Sequence, residues 1–215
     1  MKKLLLCLCL TTSLFAKGRV DIGPALVNVD MLESGKTVRS LDLFALKGEA
    51  TLMLYEGLCL KPNFLVADGK ANLNSASLGI GYCIPLSESI TITPSYGLTE
   101  THFKSRVDLP HFGMYHLREK FISRGQYLCV DASWTFAAGW RLYGAAQYAW
   151  SHVRTKIGPF SHKSKTEGPS YALSIERDIN EEFSIALSAG YNASLSKEKH
   201  GLRGKGIKLG LVYWY

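Results

Sequence analysis

Residues 128–136 read Leu-Cys-Val-Asp-Ala-Ser-Trp-Thr-Phe, and residues 140–150 read Trp-Arg-Leu-Tyr-Gly-Ala-Ala-Gln-Tyr-Ala-Trp, with Ala137-Ala138-Gly139 between them. In the first run Leu128, Val130, Ala132, Trp134 and Phe136 alternate with Cys129, Asp131, Ser133 and Thr135. In the second, Trp140, Leu142, Gly144, Ala146, Tyr148 and Trp150 alternate with Arg141, Tyr143, Ala145 and Gln147. A period of two throws successive side chains to opposite faces, so the stretch is a tight hairpin of two strands with one apolar face. The other face is small and polar. A soluble lipocalin-like barrel also alternates, but it carries more Lys and Glu on the face turned to water. Large apolar residues on one face and small polar ones on the other suit a narrow barrel with lipid outside and a crowded lumen inside.

The same period recurs along the chain. Ile90, Ile92, Pro94, Tyr96 and Leu98 alternate with Thr91, Thr93, Ser95 and Gly97; Phe183, Ile185, Leu187, Ala189 and Tyr191 alternate with Ser184, Ser188 and Gly190; Ile207, Leu209, Leu211, Tyr213 and Tyr215 alternate with Lys208 and Gly210. Short turns (55–57, 86–89, 137–139, 178–182) alternate with longer charged stretches (31–38, 106–121, 157–167, 199–204), the pattern of periplasmic turns and outer loops. The expected fold is an all-β, antiparallel, up-and-down transmembrane β-barrel of ten strands near 19–30, 39–54, 58–68, 73–84, 89–105, 122–136, 140–156, 168–178, 183–198 and 205–215, with eight strands as the alternative. The first two strands are the least regular: Pro24 interrupts one, and Leu41 to Leu46 shifts phase as a bulge would. Trp134, Phe136, Trp140, Phe183, Tyr213 and Tyr215 gather at the short-turn end, and Tyr96, Tyr148, Trp150, Tyr171 and Tyr191 lie higher, as two interfacial girdles.

Composition agrees. Of 215 residues only 20% are charged, and Gly (20) and Tyr (11) are plentiful. Residues 1–16, MKKLLLCLCLTTSLFA, read as a secretory signal with Lys2 and Lys3 before an apolar stretch and Ala16 at the cut, leaving 17–215 as the barrel. The apolar stretch falls short of the ~20 residues a spanning helix needs. Removing Lys2 and Lys3 takes the 25 basic side chains to 23 against 18 acidic, a net +5. That modest balance suits lipid phosphates or acidic glycans, and export argues against nucleic acid.

The segment Lys208-Leu209-Gly210-Leu211-Val212-Tyr213-Trp214-Tyr215 resembles the C-terminal β-signal of Gram-negative outer-membrane barrels, with Lys208, Gly210, Tyr213 and Tyr215 in its characteristic places and Tyr where Phe is commoner. The whole chain resembles, in layout, the small OmpA/OmpX/Opa-type barrel superfamily. That resemblance implies the cell outer membrane as location, outer-membrane lipid and lipopolysaccharide as surroundings, and the barrel-assembly machinery as a partner during biogenesis. It implies no single activity.

Candidate chemistry lies in three places. Glu49, Lys61, Asp131, Arg141, Glu176 and Lys208 are placed inward, as a paired network that plugs the lumen. His111, His116, Arg118, Lys120, His162, Lys163, Lys165, Lys199, His200 and Arg203 make the outer loops basic, for contact with lipopolysaccharide phosphates or anionic glycans, or merely as a solvated surface. Cys59, Cys83 and Cys129 remain after the signal. A hairpin centred at residue 71 sets Cys59 opposite Cys83, giving a disulfide or two small lumen fillers. The cysteine and histidine spacings follow no metal-ligand pattern, so no metal or cofactor is expected. His162 and Ser164 share a strand face, as in outer-membrane lipid A deacylases, but Lys165 stands where that family has Asn. Glu100, His102 and Asp108 fit the acids and His of outer-membrane aspartyl proteases only by residue type. No catalytic residue is assigned. The expected function is a structural or surface-interaction, adhesin-like barrel with a plugged lumen, with a narrow pore or a lipid A-modifying enzyme as alternatives.

Overall fold

The computed structural model describes residues 18–109 and 114–215, with only the backbone of 107–109 and 114–116. Residues 1–16, read above as a secretory signal, and His111 lie outside the described residues, and nothing is placed for the His116 side chain. The described chain is all strand and turn: β1 (Gly18–Glu33), β2 (Lys36–Tyr55), β3 (Leu58–Gly69), β4 (Asn72–Tyr82), β5 (Ile84–Pro85), β6 (Ile90–Leu109), β7 (Met114–Ala137), β8 (Trp140–Ile157), β9 (Phe160–Asp178), β10 (Phe183–Leu195) and β11 (Gly201–Trp214). The two-residue β5 continues β4 in the same register against β6. The break at Tyr82 and Cys83 falls opposite Pro94 and Thr93, and Pro94 has no N–H to donate. The eleven segments are therefore ten staves.

Each stave pairs antiparallel with its neighbours in sequence, and β1 pairs β11 to close the barrel. Following the register once around, from Arg19 through Thr51, Lys61, Gly79, Gly97, Tyr127, Ala149, Gly168, Ser194 and Leu202, returns to β1 at Met31, twelve residues beyond the start (31 against 19). That stagger tilts the strands by about 35–45° to the axis. The left-handed pair Glu56 and Gly57 (φ 39° and 91°) makes the β2–β3 turn a two-residue hairpin, because such φ values match the twist of the flanking strands.

The barrel is inside-out relative to a water-soluble protein. Phe44 (64% exposed), Leu98 (63%), Leu26 and Leu187 face outward, whereas Lys208 (3%) and Glu176 (0%) are buried within. A continuous belt of this kind is stable only against hydrocarbon. Trp134 and Phe136 (ring centroids 5.5 Å apart), Phe183 and Tyr213 (5.1 Å), and Tyr213 and Tyr215 (5.7 Å) pack at its short-turn rim; Tyr148 and Trp150 (5.0 Å) and Tyr171 and Tyr191 (6.4 Å) pack at the other.

Three expectations change. Segment 41–46 holds no bulge: Leu41, Leu43 and Ala45 turn inward and Phe44 and Leu46 outward, in unbroken pairing with β1. Both faces are apolar because this part of the lumen is itself apolar. The β1–β2 register instead slips between Met31 and Leu32. The stretches 106–121 and 157–167, read as loops, are mostly strand. Turns are short at both ends among the described residues, and the asymmetry lies in strand length: β6 to β9 have 20, 24, 18 and 19 residues, β3 and β4 only 12 and 11. One side of the barrel thus stands as a tall wall above the belt.

Candidate functional site

The lumen floor is built from strand ends whose inward positions carry charge. Glu49, Lys61, Asp131, Arg141, Glu176 and Lys208 all point inward, and the structure adds Arg19, Asp21, Lys47 and Asp178 to them. Arg19 bonds Glu176, and its guanidinium lies 3.1 Å from Asp21 and 3.7 Å from Glu49. Lys208 Nζ is 2.8 Å from Asp21 and 3.8 Å from Glu49. Lys47 pairs with Glu49 at 2.9 Å, Lys61 with Asp131, and Arg141 with Glu176 and Asp178 at 3.4 and 3.6 Å. Five cations (Arg19, Lys47, Lys61, Arg141, Lys208) face five anions (Asp21, Glu49, Asp131, Glu176, Asp178). A charge here is tolerable only with partners, and the equal count leaves the floor neutral. Arg141 also lies 4.3 Å from the Trp214 ring centroid, and Tyr143 donates to Asp131 at 2.8 Å. Arg19 and Asp21 escaped the sequence reading although they alternate with Val20 and Ile22, a signal that was there to use.

Above the floor the lumen opens into a cavity of about 390 Å³. Hydroxyl and amide pairs line its β4–β6 and β9–β10 seams: Ser75 with Thr101 (2.9 Å), Ser188 with Ser174 (3.0 Å) and Asn192 with Ser170 (2.5 Å). Ala25, Val27 and Val29 of β1, Leu65 of β3 and Leu73 of β4 add apolar lining. Phe121 lines both this chamber and a second cavity of about 590 Å³ at the outer mouth. Phe121 is directly paired with the fully buried Phe103, within an apolar cluster that includes Leu41, Leu43 and Val153.

The basic residues expected in outer loops stand chiefly on the tall wall. Arg118 and Lys120 project outward from β7, and Lys163 and Lys165 from β9. Lys199 and His200 occupy the β10–β11 turn. Arg203, on β11, donates to Asp30 at 2.9 Å. Hydrogen bonds from Ser40 and Arg203 hold the Asp30 carboxyl below the usual carboxylate range. His162 turns the other way, into the outer-mouth cavity with Ser164, Lys197 and Glu198. What the sequence reading missed is the register. Lys104 is directly opposite Lys120, and Lys120 directly opposite Lys156. Arg106 faces Arg118, Arg154 faces Lys163, and His152 faces Lys165. Lower on the same outward face of β6, Glu100 is engaged by His102 (2.6 Å) and Arg124 (2.9 Å), which hold its carboxyl below the usual range. Inside the wall, Glu119 accepts from Ser105 at 2.7 Å while burial pushes its carboxyl up.

Of the enzyme candidates, His162 and Ser164 sit on β9 rather than in a loop and face the lumen mouth, away from lipid. Glu100 and His102 bond each other on the outward face; the Asp108 side chain is not described. The four positions expected to form an assembly signal, Lys208, Gly210, Tyr213 and Tyr215, each make a structural contact. Lys208 pairs with Asp21, and a Cβ at Gly210 would lie 2.2 Å from Asp21 Oδ1. Tyr213 packs between Phe183 and Tyr215, and Tyr215 exchanges backbone hydrogen bonds with Gly18 (2.9 and 3.1 Å), which joins the last stave to the first.

Among the described residues, Cys59, Cys83 and Cys129 are free. The β3–β4 hairpin is centred at residue 70, not 71, so Cys59 opposes Gly81 and not Cys83. The Cys59 and Cys83 sulfurs are nevertheless 3.7 Å apart in the lumen. Cys129 donates to Asp131 at 3.6 Å.

No protein-family model matches the chain, and no curated protein is similar to it in sequence. Its fold is similar to that of outer-membrane barrels of known structure. The outer-membrane protease OmpT of Escherichia coli superposes over 93% of this chain and 96% of its own, with TM-score 0.61 and 13% identity. An outer-membrane channel from Pseudomonas putida F1 superposes over 94% and 96%, with TM-score 0.53 and 13% identity. One is a protease and the other a channel, so the likeness is of fold and not of activity.

Proposed function

We propose that this chain works at the cell surface as an outer-membrane barrel whose tall basic wall holds anionic polymers, either lipopolysaccharide phosphates beside it or acidic glycans of another cell. The role is structural or adhesin-like. The observation that carries the reading is the row Lys104–Lys120–Lys156, three ammonium groups on adjacent strands in direct register. Like charges set opposite each other destabilise a sheet, and adjacent strands lie only about 4.8 Å apart. Two further like-charged pairs, Arg106 with Arg118 and Arg154 with Lys163, flank the row. Multivalent phosphate or sulfate removes that repulsion and supplies charge-assisted hydrogen bonds in return. The neutral, fully paired floor supports a wall-based role rather than conduction.

The test is binding of the purified barrel to immobilised heparin and to lipopolysaccharide micelles across a salt series. Binding should weaken steeply with salt and fall when Lys104, Lys120 and Lys156 are all changed to Gln. Equal binding by that triple variant would remove the basis of the reading. A narrow transport barrel is the second reading, favoured by the 390 Å³ chamber. It requires the ion-paired floor to open, which single-channel recording detects.

A further inference from the structure

Three sulfurs meet in the lumen near the end closed by the Glu56–Gly57 turn. Met53, near the end of β2, and Cys59, near the start of β3, are direct cross-strand partners. Cys83 stands at the break between β4 and β5. Its Sγ is 3.6 Å from Met53 Sδ and 3.7 Å from Cys59 Sγ. The Thr93 hydroxyl donates to the same Sγ at 3.4 Å. Gly81, opposite Cys59, keeps the space open: a Cβ there would be 3.3 Å from Cys59 Sγ and 3.0 Å from the Ser95 Cβ. Cys59 is fully buried, while Cys83 is half-buried and reachable.

We propose that Met53, Cys59 and Cys83 form a site for one soft monovalent metal ion, Cu(I). Three sulfurs about 2.3 Å from a common ion stand roughly 3.7–4.0 Å from one another, close to the two separations seen. Thiolate and thioether donors without oxygen or imidazole select Cu(I) over harder divalent ions. Binding exchanges two thiol protons for one cation and leaves a single net negative charge. The Thr93 hydroxyl and Lys61, two residues beyond Cys59 on the same inward face, stabilise that charge. A disulfide between Cys59 and Cys83 would instead draw two of the three donors together to about 2.05 Å. The spacing 53, 59, 83 shows no ligand pattern in sequence because the donors come from separate staves and only the register assembles them.

The test uses the full chain purified anaerobically from outer membranes, titrated with Cu(I) against bicinchoninate. The wild type should withdraw one equivalent of Cu(I), with a three-sulfur shell by X-ray absorption. Cys83→Ser and Met53→Leu should each weaken binding more than about 100-fold, Thr93→Val about 10–100-fold, and Cys129→Ser not at all. Heat-modified migration on gels checks that each variant is folded, and Met53→Leu, an apolar exchange of similar size, carries the test if Cys83→Ser fails to insert. Failure of the wild type to compete, unchanged binding in Met53→Leu, or a Cys59–Cys83 disulfide in the isolated protein would each overturn the proposal. None of these outcomes bears on the basic wall.

Discussion

Arg19, near the start of β1, bonds Glu176 on β9 across the lumen, a contact between residues 157 apart in sequence. Both side chains are almost wholly buried, and Glu176 also receives Arg141 from the neighbouring stave. The floor is thus a cross-brace that ties staves not adjacent in the sheet.

Glu176→Ala should be strongly destabilising, because it leaves Arg19 and Arg141 short of an acid in a buried setting. Breaking one partner of such a pair costs about 3–5 kcal/mol. The measurement is the urea midpoint of folding in lipid vesicles, and the double variant Arg19→Met/Glu176→Leu should recover much of the loss. A shift below about 0.5 kcal/mol for Glu176→Ala would mean the brace is not structural.

Ala146 faces lipid and its neighbour Ala145 faces the lumen. Arg at position 146 near the middle of the belt should cost roughly 2–4 kcal/mol, as it should at Leu187. At position 145 the effect should come from crowding against the charge network. Cysteine probes check the facing directly: position 145 should react with a water-soluble maleimide and position 146 should not. Equal labelling would sink the assignment.

The closing strand should be needed for insertion. Removing Trp214 and Tyr215 takes away the Tyr215–Gly18 backbone pairing, the Trp214 ring against Arg141 and the Tyr213–Tyr215 contact. The truncated chain is expected to be exported yet remain unfolded in the periplasm, seen as loss of the heat-modifiable band and degradation by periplasmic protease. Gly210→Val should have a milder effect in the same direction, through the Asp21 contact its side chain would invade.

The strands were legible because, within the belt, lipid and lumen impose opposite demands on alternate residues; Leu128 to Phe136 shows this directly. Legibility failed wherever that contrast disappears. Leu41 to Leu46 looked like a phase slip because lumen and lipid faces are both apolar there. The upper parts of β7 and β9 looked like loops because, above the belt, the outward face carries Arg118, Lys120, Lys163 and Lys165 in place of apolar residues. The six inward charges could be picked out one at a time from alternation. Their partners could not, since pairings such as Arg19–Glu176 depend on barrel closure. The Cys59–Cys83 register missed by one residue in the turn centre, which shifts the pairing by two. The like-charged rows of the wall were invisible for the same reason: Lys104, Lys120 and Lys156 are unremarkable until β6, β7 and β8 are aligned.

That alignment gives the sharpest test of the wall. Lys120 lies at the centre of the row, opposed by Lys104 on one side and Lys156 on the other. Lys120→Glu replaces two repulsive cross-strand pairs by two attractive ones, each worth roughly 0.2–1 kcal/mol. If the wall existed only as a solvated surface, the substitution would simply be stabilising and otherwise silent. If the row exists to bind anions, it should raise the folding midpoint and at the same time weaken heparin and lipopolysaccharide binding, since stability gained at a binding site commonly comes with lost function. The two quantities are measured on one preparation, as a urea midpoint in vesicles and a salt-dependent binding curve. A variant more stable than wild type that binds equally well would refute the functional role of the row while leaving the register intact. A variant less stable than wild type would refute the register itself, because opposite charges in true opposition cannot repel.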